Sequence, residues 1–153
     1  MKSVFTYQEL RNPNEDSGFL LLLTYNLWEQ NHKKVLQKHQ LTHTQFAVLA
    51  SIYWLSLHND SPITQIILAK HIKTNPMNIS PTLKGLEKRD LVARPPHPVD
   101  VRAKMITLTP KGDELIQKAV ITVQHAEKRF FEALGKNNTR FKNYLIKIII
   151  SNS

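Results

Sequence analysis

The hydrophobic periodicity of this chain changes once, and that change limits the possible folds more than any other feature. Up to about Arg89 the apolar residues recur at the three- and four-residue spacing of helices. The stretches LVARP (91–95) and MITLT (105–109) then carry the β-favouring residues of short strands. They flank a proline-rich, basic connection, PHPVDVRAK (96–104), so the pattern favours a hairpin with a protruding loop between helices.

Four helices are predicted before this hairpin, from apolar spacing and from residues that can cap a helix. They cover approximately residues 19–38, 43–57, 65–72 and 76–89. Thr42 or Thr44 can cap the second helix and Thr64 the third. The fourth begins at Pro76, which suits a first helical position, with Asn75 as its N-cap.

After the hairpin, Thr109 and Pro110 start a further helix. It is predicted to run to about residue 134, where the sequence GKNN (135–138) breaks it, and a final helix follows. The third and fourth helices, joined by a tight turn, form a helix-turn-helix, the arrangement that presents its second helix to a DNA major groove. The hairpin directly after that second helix makes the motif a winged one.

Apolar side chains crowd the two ends of the chain, beyond what one inward face of each helix requires. Burial against a second copy would account for them, and packing within the chain is the alternative. The predicted dimerisation residues are Leu20, Leu23, Phe130, Phe131, Leu134, Phe141, Tyr144, Leu145, Ile148 and Ile149.

The predicted fold is therefore mainly α (α+β), a winged helix-turn-helix with N- and C-terminal dimerisation helices. Within one structural domain, residues 1–40 form an N-terminal arm and first dimerisation helix. Residues 41–110 form the DNA-binding region, and residues 111–153 the C-terminal dimerisation helices.

The net charge of +9 is concentrated in the middle of the chain. Residues 1–60 carry five basic and five acidic side chains, whereas residues 61–111 carry nine basic and three acidic ones. Such an excess attracts polyanions such as nucleic acid. A basic face that is merely solvated is the alternative.

Other features exclude several classes of function. The chain has no cysteine, which removes thiolate metal sites and disulfides. It shows no secretory leader, and the apolar run 19–23 is too short to span a bilayer, so we expect a cytoplasmic protein without membrane contact. Glycine-rich phosphate loops and nucleophile motifs are missing, so we predict no enzyme and no cofactor.

The fourth helix is predicted to read DNA with the face opposite Ile79, Leu83 and Leu86. The predicted DNA-binding residues of this helix are Asn75, Met77, Asn78, Ser80, Pro81, Lys84 and Lys88. Lysines can pair with phosphate or guanine, and asparagine can bind adenine through two hydrogen bonds. The alternative is that the lysines are ordinary solvated side chains.

Pro81 and Gly85 are unexpected in a helix, because both destabilise helix interiors. One helix kinked at Pro81 is the preferred interpretation, and a shorter helix capped by Ser80 is the alternative. We hypothesise that Pro81 and Gly85 let the helix approach DNA closely, with Pro81 contacting a thymine methyl group.

Basic residues of the hairpin complete the predicted interface. Arg94, His97 and Lys104 are predicted to contact phosphate, and Arg102 near the tip can enter a narrow minor groove. Asp100, two residues earlier, can form a local salt bridge with this arginine.

With these residues placed, the chain resembles the MarR family of winged helix-turn-helix transcriptional regulators. The resemblance runs from LTHTQFAVL (41–49) through TNPMNISPTLKGLEKRDLV (74–92) to Gly112. Its most specific part is the wing signature, Asp100-x-Arg102-Ala103-Lys104, followed by Leu108-Thr109-x-Lys111-Gly112.

The resemblance implies a homodimer whose two wings and reading helices bind a pseudo-palindromic operator, usually as a repressor. It implies that the residue matching Arg102 enters the minor groove and that the neighbouring acid, Asp100 here, helps to hold it. It also implies release of DNA by a small acidic or aromatic effector. Some members of the family sense zinc, which leaves a zinc site at His39 and His43 open. The alternative is that these are scattered surface histidines, and we predict no metal site.

A sequence-specific regulator of double-stranded DNA is thus the leading hypothesis. A winged-helix protein–protein interaction module, without sequence-specific DNA binding, is the alternative. Non-specific nucleic-acid packaging is a third possibility, but packaging needs lysines rather than a placed Asp-x-Arg.

Overall fold

The structure, a computed structural model, describes residues 16–100 and 102–153. Its helices are α1 (Ser17–Leu36), α2 (His43–His58), α3 (Gln65–Ile72), α4 (Pro76–Lys88), α5 (Pro110–Phe130) and α6 (Asn138–Ser151). The strands β1 (Val92–Ala93) and β2 (Thr107–Leu108) pair between α4 and α5. Short 3₁₀ turns follow α1 at Gln37–His39 and α5 at Glu132–Asn137. The predicted mainly α winged fold is therefore confirmed, while the part of the predicted N-terminal arm before residue 16 lies outside the described residues.

Side-chain caps fix where the helices of the winged region begin. Thr42 accepts a hydrogen bond from the Gln45 amide, and the Gln45 side chain accepts one from the Thr42 amide, both at 3.1 Å. Thr64, Asn75 and Thr109 cap α3, α4 and α5 in the same way through single hydrogen bonds. Each such cap is worth about 1 kcal/mol, and the predicted starts of these helices are confirmed.

The core forms around α2, which contacts α1, α3, α4, α5 and β2. Val48, Leu49, Ile52 and Leu55 of α2 are all buried. Leu68 of α3 joins the same cluster. The inner faces of α4 and α5 also pack against it, with Ile79, Leu83, Leu86, Ile116, Ala119 and Val123. The helix that reads DNA in the sequence prediction is thus fixed to the core along its inner face.

The hairpin is antiparallel, with Val92 opposite Leu108 and Ala93 opposite Thr107. Its regular strands are shorter than the predicted five-residue runs, because Pro95 and Pro96 carry no amide hydrogen for a ladder. Pairing continues irregularly beyond them, through the Met105 amide to the Pro95 carbonyl at 2.9 Å.

Glycine is required at position 112, in the first turn of α5. A Cβ atom there would lie 1.9 Å from the carbonyl oxygen of Leu91. The Thr109 amide donates to that same carbonyl at 3.2 Å. The backbones at the base of the hairpin and at the start of α5 are therefore in direct contact, with no room for a side chain.

Helix α5 is shorter than predicted. It ends at Phe130 rather than near residue 134, and a 3₁₀ turn follows in which Gly135 adopts a left-handed φ of 49°. The apolar run predicted a longer helix, but its aromatic residues pack across the turn instead. Phe131 lies 5.8 Å from Phe141 of α6, measured between ring centroids.

None of the described helices combines the length and the apolar character that crossing a bilayer demands.

Candidate nucleic-acid interface

Helix α4 has one buried face and one exposed face, as the helical spacing predicts. Its inner side chains are buried: Ile79, Leu83 and Leu86. Met77 is 78% exposed, and Pro81, Lys84 and Lys88 are exposed as well. An exposed basic stripe on a helix that the core holds rigidly is the geometry needed for insertion into a major groove.

Two asparagine side chains at the start of α4 already form hydrogen bonds within the protein. The Asn75 side-chain oxygen accepts a hydrogen bond from the Met77 amide at 2.9 Å. The Asn78 side-chain nitrogen donates to the Thr74 hydroxyl at 3.3 Å. Asn78 is exposed and its carbonyl oxygen is not used in that bond, so it is better placed than Asn75 for contact with a base. Ser80 is half-buried beside this face.

Pro81 lies inside a helix that continues from Pro76 to Lys88. The preferred single helix is confirmed, and the alternative of a shorter helix capped by Ser80 is wrong. Proline cannot donate a backbone hydrogen bond to the Met77 carbonyl, so the helix loses one bond on its exposed side.

The position of Gly85 corrects part of the hypothesis that Pro81 and Gly85 together let the helix approach DNA closely. This glycine is half-buried, and a Cβ atom there would lie 4.0 Å from the Gln45 side-chain nitrogen. Gly85 therefore faces the start of α2, at the edge of the exposed face. Of the two residues, Pro81 is the exposed one that can approach DNA.

Gln65 connects the wing to the reading helix. Its side-chain oxygen accepts a hydrogen bond from Nη2 of Arg94 at 3.0 Å, and its nitrogen donates to the Pro76 carbonyl at 2.8 Å. We call these two bonds the Gln65 bridge. Arg94, a predicted phosphate contact, is half-buried, and its Nε atom is buried without a hydrogen-bond partner. The structure thus gives Arg94 a positioning contact at the base of the wing.

The tip of the wing is organised by His97. Its Nδ1 atom accepts hydrogen bonds from the amides of Val99 at 3.2 Å and Asp100 at 3.0 Å. Because Nδ1 is the acceptor, the neutral ring carries its hydrogen on Nε2, and that N–H is the group able to donate to a phosphate.

Asp100 holds Arg102 through the backbone. Its side-chain oxygen accepts a hydrogen bond from the Arg102 amide at 3.0 Å. Among the described residues no ion pair joins the two side chains, so the local salt bridge considered from the sequence is replaced by a turn. Arg102 and Lys104 are exposed, which leaves both charges available to DNA.

His39 and His43, the residues considered for zinc, lie in different environments. The His39 Nε2 atom lies 2.8 Å from the Thr122 hydroxyl, whereas His43 packs on Trp28 with centroids 4.9 Å apart. Burial, with help from Lys38 and Lys118, lowers the pKa of His39. Within the described residues no group of three or more acidic or histidine side chains is arranged to hold a metal.

Burial also lowers the pKa of His43, reinforced by nearby His32 and opposed by Glu29. His32 is only 2% exposed, and its Nε2 atom lies 3.3 Å from a carboxylate oxygen of Glu127. Neither ring nitrogen of His32 makes a hydrogen bond of acceptable angle, so this contact is a close approach only. No sequence signal distinguishes His32, because an isolated histidine in a helix is usually solvated.

None of the predicted dimerisation residues is fully buried within one chain. Helix α6 buries none of its fourteen residues. Its strongly exposed members include Tyr144, Ile148 and Ile149, while Leu20 and Leu23 of α1 are 41% and 42% exposed. The others are half-buried: Phe130, Phe131, Leu134, Phe141 and Leu145.

Comparison with known proteins places this chain among helix-turn-helix regulators. The sequence model of the MarR family matches residues 41–104, which run from just before α2 to the wing residue Lys104, ahead of β2. The chain is 32% identical over 130 residues to an uncharacterized HTH-type transcriptional regulator, YdcH of Bacillus subtilis. That match covers 85% of this chain and 88% of the relative.

Solved structures share the architecture. CouR from Rhodococcus jostii, bound to p-coumaroyl-CoA, superposes with a TM-score of 0.76 at 26% identity, over 91% of this chain and 94% of that one. MepR of S. aureus, in complex with DNA, gives a TM-score of 0.79 at 24% identity, over 89% and 98% of the two chains. The second likeness is one of fold alone.

Proposed function

The chain belongs to the MarR family of DNA-binding transcriptional regulators, and from that premise we propose that it binds double-stranded DNA sequence-specifically as a homodimeric repressor. The observation that carries the proposal is α4, whose inner face is buried while Lys84 and Lys88 are exposed next to a wing bearing Arg102. Phosphate contacts from such cations position a protein on DNA, and base contacts specify the sequence.

The proposed base-reading residues are the exposed members of the first turns of α4. Asn78, Met77 and Pro81 offer an amide, a flexible apolar side chain and a rigid apolar ring to the major groove. These base-reading residues are supported or flanked by Ser80, Asn75, Lys84 and Lys88. On the wing, Arg102 enters the minor groove and Lys104 and His97 contact phosphate, while Asp100 and Arg94 fix the loop.

Dimerisation through α1 and α6 explains why α6 buries no residue in one chain. A two-fold dimer presents two copies of α4 about one DNA turn apart, which requires a pseudo-palindromic operator. Residues 1–40 and 111–153 then serve dimerisation, and residues 41–110 serve DNA binding. Ile148→Asp should shift the chain from dimer to monomer in analytical ultracentrifugation, whereas Leu57→Asp, at a position 63% exposed on α2, should not.

An effector that releases DNA is part of the proposal, since CouR was crystallised with p-coumaroyl-CoA. A regulator of this kind acts where the chromosome lies, in the cytoplasm, and we propose no enzymatic role.

Selection of bound duplexes from fragments of the host genome tests the function directly. A shared pseudo-palindromic motif is the expected result, with affinity that falls steeply with salt as counterions are released. Arg102→Ala should weaken binding and lower the salt slope by about one, and Arg140→Ala, an equal charge change on α6, is the matched control. Equal affinity for random duplexes would favour packaging, and no duplex binding would favour a protein–protein module.

A further inference from the structure

A groove with a volume of about 370 Å³ lies where the ends of α1 and α4 meet the first half of α5. We call it the cationic groove, and its charged or titratable lining residues are Lys38, His39, Arg89, Lys111, Glu114 and Lys118. Four permanent cations and one carboxylate leave an excess of three positive charges. An excess of this size in a concave site raises the local concentration of anions.

Two of these cations are held in place by neutral groups. Nη1 of Arg89 donates to the Gln40 carbonyl at 2.9 Å and to the Gln45 side-chain oxygen at 3.2 Å. Nζ of Lys111 donates to the Arg89 carbonyl at 2.8 Å. These bonds order both side chains without cancelling their charge, which reduces the entropy lost when an anion binds.

The other two cations, Lys38 and Lys118, are exposed side chains. Lys118 pairs with Glu114 one helical turn away at 2.5 Å, but the two side chains are 64% and 70% exposed. An exposed pair of this kind contributes little to stability, so an anion can compete for the lysine. Lys38 is exposed in the 3₁₀ turn that follows α1. Burial is the main cause of the lowered pKa of His39, and the positive charges of Lys38 and Lys118 add to it.

The groove shares no lining residue with the DNA-reading surface described above. Arg89 follows the last residue of α4 and turns back to the linker before α2. It is half-buried, whereas Lys84 and Lys88 are exposed on the helix itself.

We propose that the cationic groove binds a small anion carrying two or more phosphate or carboxylate groups. Its anionic oxygens contact Lys38 and Lys118 across the groove, with Arg89 and Lys111 forming the ordered floor. Such an anion would connect the end of the reading helix with α1 and α5, and therefore with the dimer helices. Any effect on DNA affinity rests on the function proposed above, whereas binding of the anion does not.

Titration calorimetry on the full chain at constant ionic strength tests the proposal, with pyrophosphate and citrate as probes for the two oxygen chemistries. The wild-type protein should bind at least one probe with a dissociation constant of about 1 mM or tighter. The double variant Lys38→Gln/Lys118→Gln should bind it at least about tenfold more weakly. Lys136→Gln/Lys142→Gln removes the same charge elsewhere and should change the constant by less than about twofold. Glu114→Gln should tighten binding, because it removes the one carboxylate.

Three outcomes would overturn the proposal. The first is no binding of either probe at about 10 mM by a wild-type protein that is folded in circular dichroism. The second is equal weakening in both double variants, which would indicate a response to net charge only. The third is loss of duplex affinity in Lys38→Gln/Lys118→Gln without probe binding by the wild-type protein, which would assign the groove to the DNA backbone. Failure of duplex binding in every protein, with intact pyrophosphate binding, would instead contradict only the proposed function.

Discussion

Replacing Gln65 with methionine removes the Gln65 bridge while keeping the length of the side chain. One lost bond has a charged donor, Arg94, and is worth about 1.5–3 kcal/mol; the other is neutral and worth about 0.5–1.5 kcal/mol. Both hydrogen bonds are only partly buried, so we use the lower end of each range. We therefore expect the free energy of unfolding to fall by about 2 kcal/mol in urea titrations.

The same substitution should weaken operator binding about tenfold, equivalent to about 1.4 kcal/mol, because the bridge positions the wing relative to the first turn of α4. Fluorescence anisotropy with the selected duplex measures this effect. Gln65→Glu keeps an acceptor for Arg94 but places a carboxylate against the Pro76 carbonyl. It should therefore retain the Arg94 contact and lose only the contact to α4.

Gln117→Met is the matched control, because the Gln117 side chain lies on the exposed face of α5 and bonds to Asp113 of the same helix, at 2.6 Å. A double-mutant cycle of Gln65→Met with Arg94→Met should give a coupling of at least about 1 kcal/mol in stability. The reasoning is refuted if Gln65→Met behaves like Gln117→Met in both assays, or if the two substitutions at the bridge are additive. The stability arm does not depend on DNA, so it tests the bridge even if the proposed function fails.

Three further predictions follow from other parts of the molecule. Pro81→Arg should change the sequence motif selected from random duplexes, since Pro81 is exposed on the reading face, and an identical motif would contradict that role. Gly112→Ala should destabilise the fold by about 3 kcal/mol or more in urea unfolding, because its Cβ would meet the Leu91 carbonyl at 1.9 Å; Gly18→Ala, at the exposed start of α1, should cost far less. The folded pKa of His43 is lowered, so its contribution to stability is complete above the unfolded value of about 6.5 and is lost as the pH falls below it. His43→Gln should reduce the loss of melting temperature between about pH 7.5 and 5.5, and an unchanged loss would contradict this assignment.

The parts of the fold that local chemistry controls could be predicted from the sequence. Thr42, Thr64, Asn75 and Thr109 bond to amides two or three residues away, so their caps can be recognised within a single turn. The inner face of α4 follows from helical spacing in the same way.

Contacts between distant residues could not be predicted. The Gln65 bridge joins positions 29 residues apart, and the His39 contact with Thr122 spans 83. Nothing near Gln65 distinguishes it from an ordinary polar residue at a helix start. The predicted end of α5 is wrong for a related reason. Phe131 packs on Phe141 of α6, and apolar spacing alone does not show against which helix a side chain will pack.

The contact between Gly112 and Leu91 has a mechanical consequence. With no gap between the two backbones, we expect the base of the hairpin to follow any rotation of the first turn of α5. The paired part of the wing runs from Ala93 to the bridge between Pro96 and Lys104, three residues or roughly 10 Å of extended chain. A rotation of α5 by about 10° would then displace the Pro96–Lys104 end of the wing by about 2 Å, roughly half of one base-pair step. Small changes in the angle of α5 would thus move the wing by an appreciable part of the spacing between base pairs.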